Sequence, residues 1–283
     1  MTTVGIVGLG VMGSAVAARM SSNGVDVVGI VAGRSQATRA RARSAGIAEV
    51  GTLEDLVARA DLVMSIMGSA AAVEFATELE RAVAGAVGKV PAFAECNLIA
   101  PEAMRRIDAS LTRHRVEVVD AAIVGPPPNG AHSPCVYVAG PHAERLLFLR
   151  ELGFRVDVVS ERNGDASALK VCSAAVWQGC LALTAQVAIA AKALGVDAAW
   201  RNDLQLHQTL LHDWFLPAVL EAPERSERWQ GDMTVIGDTL AAVAADPRYH
   251  AAAADLYGRL ARLPRRGWRD VSEIVACLDE SED

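Results

Sequence analysis

Short apolar, β-rich runs alternate with amphipathic stretches from residue 3 to about 160. Runs over 3–7, 25–31, 62–66, 92–96, 116–121, 136–139 and 155–159 predict strands. Between them, apolar positions recur at helical spacing, as over 14–22, 53–59 and 101–111. Thr52 followed three residues later by Asp55 reads as a capping box opening the second of these helices. Strand–helix–strand alternation of this kind predicts a parallel, doubly wound sheet. After Ser160 the period changes and no convincing strand follows. A helix over 165–194 is expected, ended by Gly195, with further helices over 204–220, 233–245, 251–263 and 271–278. Pro217, Pro223, Pro247 and Pro264 read as punctuation between them. The chain thus reads as α/β then all-α, with an N-terminal domain over 1–161, a helical domain over 162–283, and the long helix as the joint.

Composition narrows the choice of partner. The 283 residues are 52% apolar and 22% charged, with net charge −7. That balance argues against a nucleic-acid or anionic-membrane partner, since both need clustered Lys and Arg. The stretch 170–192 is nearly long and apolar enough to span a bilayer, but Gln178, Thr184 and Gln186 interrupt it, so a buried helix is expected. The five cysteines (Cys96, Cys135, Cys172, Cys180, Cys277) form no C-x-x-C pair and read as reduced thiols packed as small hydrophobes. With no basic leader at the N-terminus, a cytoplasmic location is expected.

The most specific chemistry lies at the end of the first strand. Gly8, Gly10 and Gly13 in Gly8-Leu9-Gly10-Val11-Met12-Gly13 follow a strand and open a helix. The first glycine allows the tight turn, the second lets a pyrophosphate reach the backbone, and the third lets helix pack on sheet. The helix N-terminus then offers free N–H groups and its dipole to the anion. This is the dinucleotide fingerprint of a Rossmann domain. Twenty residues on, where an acidic residue would grip an unphosphorylated ribose, the chain has Arg34, Ser35, Thr38 and Arg39 and no carboxylate. A guanidinium suits a 2′-phosphate, so NADP (as NADPH) is expected in preference to NAD, with NAD possible. No metal site is expected: His207 and His212 are five apart, not three or four.

With these motifs in order, the chain resembles the β-hydroxyacid dehydrogenases, the superfamily of 6-phosphogluconate and 3-hydroxyisobutyrate dehydrogenases. The likeness rests on the glycine segment, on Glu95-Cys96-Asn97-Leu98-Ile99-Ala100-Pro101, on Asp120-Ala121-Ala122-Ile123-Val124-Gly125-Pro126, and on Gly164-Asp165-Ala166-Ser167-Ala168-Leu169-Lys170. The helical remainder looks like the branch with a distinct C-terminal helical domain. The resemblance implies Lys170 as general acid/base, with its pKa lowered by partial desolvation. It also implies Met67, Gly68 and Asn97 at the cofactor, and Asn97, Val124 and Gly125 at the substrate. Relatives pair through the helical domain, so a homodimer acting on a small molecule is expected, its cleft holding the nicotinamide between domains.

Two departures stand out. The family's asparagine one turn after the lysine is Ala174 here, leaving Ser173 or Gln178 to take its role. The substrate loop, usually Ser-Gly-Gly, is Val124-Gly125-Pro126-Pro127-Pro128, and proline has no N–H to offer a carboxylate. Trp177, two turns beyond Lys170 on the same helix face, is expected to line the pocket. Besides a dehydrogenase or reductase of C–OH/C=O substrates, two alternatives stand. One is an imine reductase, suggested by the proline-bearing loop and opposed by the retained Lys170. The other is a non-catalytic dinucleotide sensor.

Overall fold

Valine, isoleucine and alanine buried on both faces draw the N-terminal strands into one eight-stranded sheet. The computed structural model describes residues 2–130 and 132–280. The strands are β1 (Thr3–Val7), β2 (Asp26–Ile30), β3 (Ala48–Val50), β4 (Leu62–Ser65), β5 (Ala92–Glu95), β6 (Val118–Val124), β7 (Cys135–Ala139) and β8 (Arg155–Ser160), in the order β3-β2-β1-β4-β5-β6-β7-β8. Every neighbouring pair is parallel except β6 and β7. The loop after Val124 is short, which permits only the antiparallel return. One sheet face packs Val4, Ile6, Met64 and Ala94 against Val16, Met20 and Leu149. The other packs Val28, Val63, Phe93 and Val118 against Leu56, Leu79 and Met104.

Helices α1 (Val11–Ser22), α2 (Gln36–Ser44), α3 (Leu53–Arg59), α4 (Ser69–Ala84) and α5 (Pro101–Thr112) connect the first six strands. The capping box of α3 forms as read, and Pro101 stands in the first turn of α5, where a missing N–H costs nothing. From β1 the chain winds out to β2 and β3, then returns to place β4 on the other side of β1. That reversal puts the topological switch point between the C-terminal ends of β1 and β4, where doubly wound sheets bind ligands.

The chain divides into two compact units, Met1–Val171 and Cys172–Asp283, the division falling inside α6 (Asp165–Ala193). By length and composition α6 is the one helix among the described residues fit to cross a membrane, and 44% of its most apolar window is buried. The buried helix expected here is buried over only part of its surface: Val176 and Leu183 are among its exposed positions. Cys172, read as packed, is exposed on the same helix; all five cysteines are free. Gly195, at φ +73°, ends the segment, its N–H bonded to the carbonyl of Lys192.

In the second unit the single helix expected over 204–220 is broken. It comprises α7 (Asp197–His207), an extended Gln208 (φ −143°, ψ 56°), a π-helical turn over Leu211–Phe215, α8 (Leu216–Ala218) and a 3₁₀ turn. Next comes α9 (Ala222–Ala242), which starts well before the expected 233 because Pro223 lies in its first turn. Then follow α10 (Arg248–Leu260) and α11 (Val271–Glu280). Leu181, Met233, Ile236 and Tyr257 are buried in this unit.

Candidate functional site

The glycine turn between β1 and α1 is shaped as its sequence requires. Gly8 sits at φ +93°, and a Cβ there would lie 2.1 Å from the carbonyl oxygen of Ile66. A Cβ on Gly13 would lie 2.1 Å from the Gly8 carbonyl oxygen, so helix and turn touch backbone to backbone. A Cβ on Gly10 would meet nothing within 4 Å, and this residue caps α1 without a side-chain hydrogen bond. Leu9 is buried beneath the turn, while Val11 and Met12 stand at the helix start, Val11 exposed. Gly68 repeats the arrangement at the neighbouring strand end: open space, and no side-chain cap on α4. Two bare helix N-termini therefore flank the β1/β4 switch point. A pyrophosphate fits the glycine turn at α1, because a helix N-terminus meets it there and no side chain caps or fills it.

Beyond β2, Ser35 caps α2 by accepting from the N–H of Thr38 at 3.2 Å, and the two hydroxyls lie 3.0 Å apart. Arg41 donates to the Thr38 hydroxyl, and Arg39 Nε donates to the carbonyl of Arg34. Ser35 and Thr38 thus build the turn. The Arg34 side chain is exposed, and no described carboxylate pairs with it.

Ser65 and Glu95, the last residues of β4 and β5, form a row of polar side chains with Asp120 within β6, adjacent in register. All three are buried. Asp120 receives the N–H groups of Gly164, Ala166 and Ser167 on Oδ2 (2.8, 2.9 and 3.1 Å) and the Ser167 hydroxyl on Oδ1 (2.6 Å). A carboxylate from the sheet thereby caps α6, each charge-assisted bond contributing ~1.5–3 kcal/mol. Burial pushes the Asp120 carboxyl above the usual carboxylate range, and these donors oppose the rise. Asn163 locks the same joint by accepting from the Asp120 N–H at 3.2 Å; Gly140 leaves room for it, since a Cβ there would lie 1.9 Å from Asn163 Oδ1.

One turn into α6, half-buried Lys170 donates from Nζ to the carbonyl of Cys96 at 2.7 Å. Asn97 follows, and its amide is already occupied. Oδ1 accepts from the Met67 N–H, while Nδ2 donates to Ser65 Oγ (2.7 Å) and to Glu95. At 2% exposure Asn97 ties β5 to the loop of Met67 and Gly68. In this structure it positions that loop and has no donor left for a ligand. The Asn97 Nδ2 and Oδ1 assignment follows from those partners.

Val124 ends β6, and Gly125 follows at φ +117°, with Pro134 close enough to touch a Cβ at 3.4 Å. In the second unit, Ser173 is half-buried on α6. Trp177, 43% exposed, packs its ring 4.6 Å from that of Phe215. Gln178 is placed inward. It is 7% exposed, its side-chain amide nitrogen donates to Asp232 at 3.1 Å, and its main-chain carbonyl accepts the Tyr257 hydroxyl at 2.7 Å. Glu95 is the residue the motif reading left without a role. Its only sequence signal is a carboxylate inside an apolar strand run.

Comparison with known proteins adds the lineage. Residues 3–150 match the family described as the NAD binding domain of 6-phosphogluconate dehydrogenase. An uncharacterized 28.5 kDa protein of Methanothermus fervidus is 25% identical over 200 residues, 68% of this chain and 72% of that protein. The Mycobacterium tuberculosis 3-hydroxyisobutyrate dehydrogenase, solved with L-serine, superposes at TM-score 0.72 with 21% identity, covering 98% of this chain and 99% of that one. A Streptomyces aurantiacus imine reductase superposes at TM-score 0.58 with 19% identity, over 98% and 99% of the two chains. The open glycine cradle at a switch point and the matched domain together assign the chain to the 6-phosphogluconate dehydrogenase-like, β-hydroxyacid dehydrogenase superfamily of NAD-binding oxidoreductases.

Proposed function

We propose that this protein is an NADPH-dependent oxidoreductase that interconverts a hydroxyl and a carbonyl on a small molecule, with Lys170 as general acid/base. The single observation that carries the reading is the placement of Lys170. Its ammonium is held at the C-terminal end of β5, beside the Asn97–Met67 link that borders the glycine cradle. The chain has only three lysines among its 27 basic residues, at 89, 170 and 192. Lys89 pairs with Asp61 and Lys192 with Asp197. An arginine cannot give up a proton near neutral pH, so a lysine kept at this position suits proton transfer.

The dinucleotide, when bound, would supply or accept the hydride. Gly8, Gly10 and the first turn of α1 would bind its pyrophosphate, Gly68 would leave room beside it, and Arg34 would hold the 2′-phosphate. Lys170 would protonate the oxygen of a carbonyl during reduction and take the hydroxyl proton back in oxidation. Val124 and Gly125 offer fewer N–H groups than a Ser-Gly-Gly loop, because three prolines follow. That loop favours a substrate held less by a carboxylate, and it supports imine reduction as the second reading.

Replacing Lys170 by alanine separates the readings. Retained NADPH affinity with turnover lowered at least ~100-fold on carbonyl substrates supports general acid catalysis. Undiminished imine reduction in the same variant favours the second reading, and undiminished carbonyl reduction contradicts the first. The apolar positions exposed on α6, Val176, Leu183 and Val187, with Leu194 just past its end, support a homodimer through the helical domain.

A further inference from the structure

Glu95 is a buried ionisable group that the mechanism above does not use. It is 1% exposed, at the end of β5. Oε1 accepts from the Asn97 N–H at 2.8 Å and from the Asn97 amide nitrogen, while Oε2 has no hydrogen-bond partner. Holding Asn97 does not require a carboxyl, since the amide oxygen of a glutamine accepts the same two bonds. A carboxylate with one bare oxygen costs several kcal/mol to bury. A group so expensive to ionise is retained where a neutral one would serve the hydrogen bonds.

The charged neighbours supply a reason. Three titratable groups face Glu95 from the elements around it: Asp120 on β6, Cys96 on its own strand end, and Lys170 on α6. Asp120 is committed to the N-terminus of α6 through four donors. Burial pushes the Cys96 thiol far up, so it stays neutral. Lys170 is the remaining group: its Nζ is held on the carbonyl of Cys96, the residue next to Glu95, and its positive charge favours the ionised form of Glu95. By reciprocity, an ionised Glu95 favours the ammonium of Lys170.

We propose that Glu95 is a positioning residue whose charge sets the protonation of Lys170. Neutral, it adds nothing to the hold on the Lys170 proton; ionised, it strengthens that hold. Burial raises the Glu95 carboxyl to about 8, against the pull of the Asn97 hydrogen bonds and the Lys170 charge. The coupling therefore strengthens as pH rises through that value, and Lys170 stays an acid to higher pH than it would alone. The inference rests on Lys170 as the acid/base of the proposed reaction, but it can be tested without a substrate.

Because the chain has three lysines, reductive methylation with ¹³C-formaldehyde gives few lysine signals, and Lys170→Arg identifies the one from Lys170. The signal is followed from pH 5 to 11. In the wild type the Lys170 curve should carry an inflection near 8 besides its own. Glu95→Gln should abolish that inflection and lower the Lys170 midpoint by roughly one to two pH units. Glu95→Asp should restore an inflection, and Lys89 and Lys192 should titrate alike in all variants. A wild-type Lys170 curve with no inflection near 8, or one superimposable on that of Glu95→Gln, overturns the proposal. NADPH binding, measured alongside by fluorescence, keeps the two ideas apart. A wild type that binds no dinucleotide defeats the oxidoreductase reading while the lysine curve still reports the coupling.

Discussion

A carboxyl that is 1% exposed and titrates at about 8 ties the stability of the fold to pH. Between the ordinary glutamate value near 4.5 and about 8, folded Glu95 keeps a proton that the unfolded chain releases. Stability must then fall as pH rises through that window, because the native state binds more protons than the unfolded one. The contribution is complete below 4.5 and gone above 8, and it amounts to a few kcal/mol. Chemical denaturation at pH 5 and at pH 8 should show the wild type losing stability across that interval. Glu95→Gln should be nearly flat over the same range, and an equally steep loss in the variant would contradict the assignment. Arg34 acts at the same scale with a simpler effect. Removing a guanidinium that binds the 2′-phosphate should lower NADPH affinity by roughly 10–100-fold, the worth of one or two charge-assisted hydrogen bonds. NADH affinity in Arg34→Ala should be unchanged.

The β1–α1 turn makes its own prediction at the level of elements, because its glycines serve different ends. A methyl on Gly13 meets the Gly8 carbonyl at 2.1 Å, whereas one on Gly10 meets nothing within 4 Å. Gly13→Ala should therefore lower the thermal midpoint, by the equivalent of roughly 2 kcal/mol or more, and weaken dinucleotide binding. Gly10→Ala should leave the midpoint in place and weaken binding alone, since the open space belongs to the ligand. Thermal melts with and without NADPH distinguish the two, and equal destabilisation by both would contradict the reading. The strands and this turn were legible in the sequence because buried β-branched runs and a glycine spacing are local signals. The short β3 was not, since Ala48-Glu49-Val50 is too brief to show a period. The break at Gln208 was hidden too, because residues 204–220 keep helical spacing across it. The antiparallel β7 depended on a loop too short for a crossover, which strand patterns alone do not reveal. The occupied amide of Asn97 was illegible because its partners Ser65 and Met67 lie some thirty residues away in sequence. The polar row of Ser65, Glu95 and Asp120 exists only through the register of three strands.

Across the whole molecule, Val176, Leu183 and Val187 on α6 and Leu194 just past its end are exposed apolar positions that a partner chain would cover. Light scattering should give the mass of two chains, and Leu183→Glu with Val187→Glu should give one. A monomeric wild type would contradict the pairing. The proposed function requires first that the chain bind a phosphorylated nicotinamide dinucleotide in order to move a hydride. Its most direct test is a fluorescence titration of the purified protein with NADPH and with NADH. Saturable NADPH binding at least ~10-fold tighter than NADH is expected, the preference vanishing in Arg34→Ala. Binding of NADH as tight as NADPH would contradict the assigned role of Arg34, and binding of neither would contradict the oxidoreductase itself.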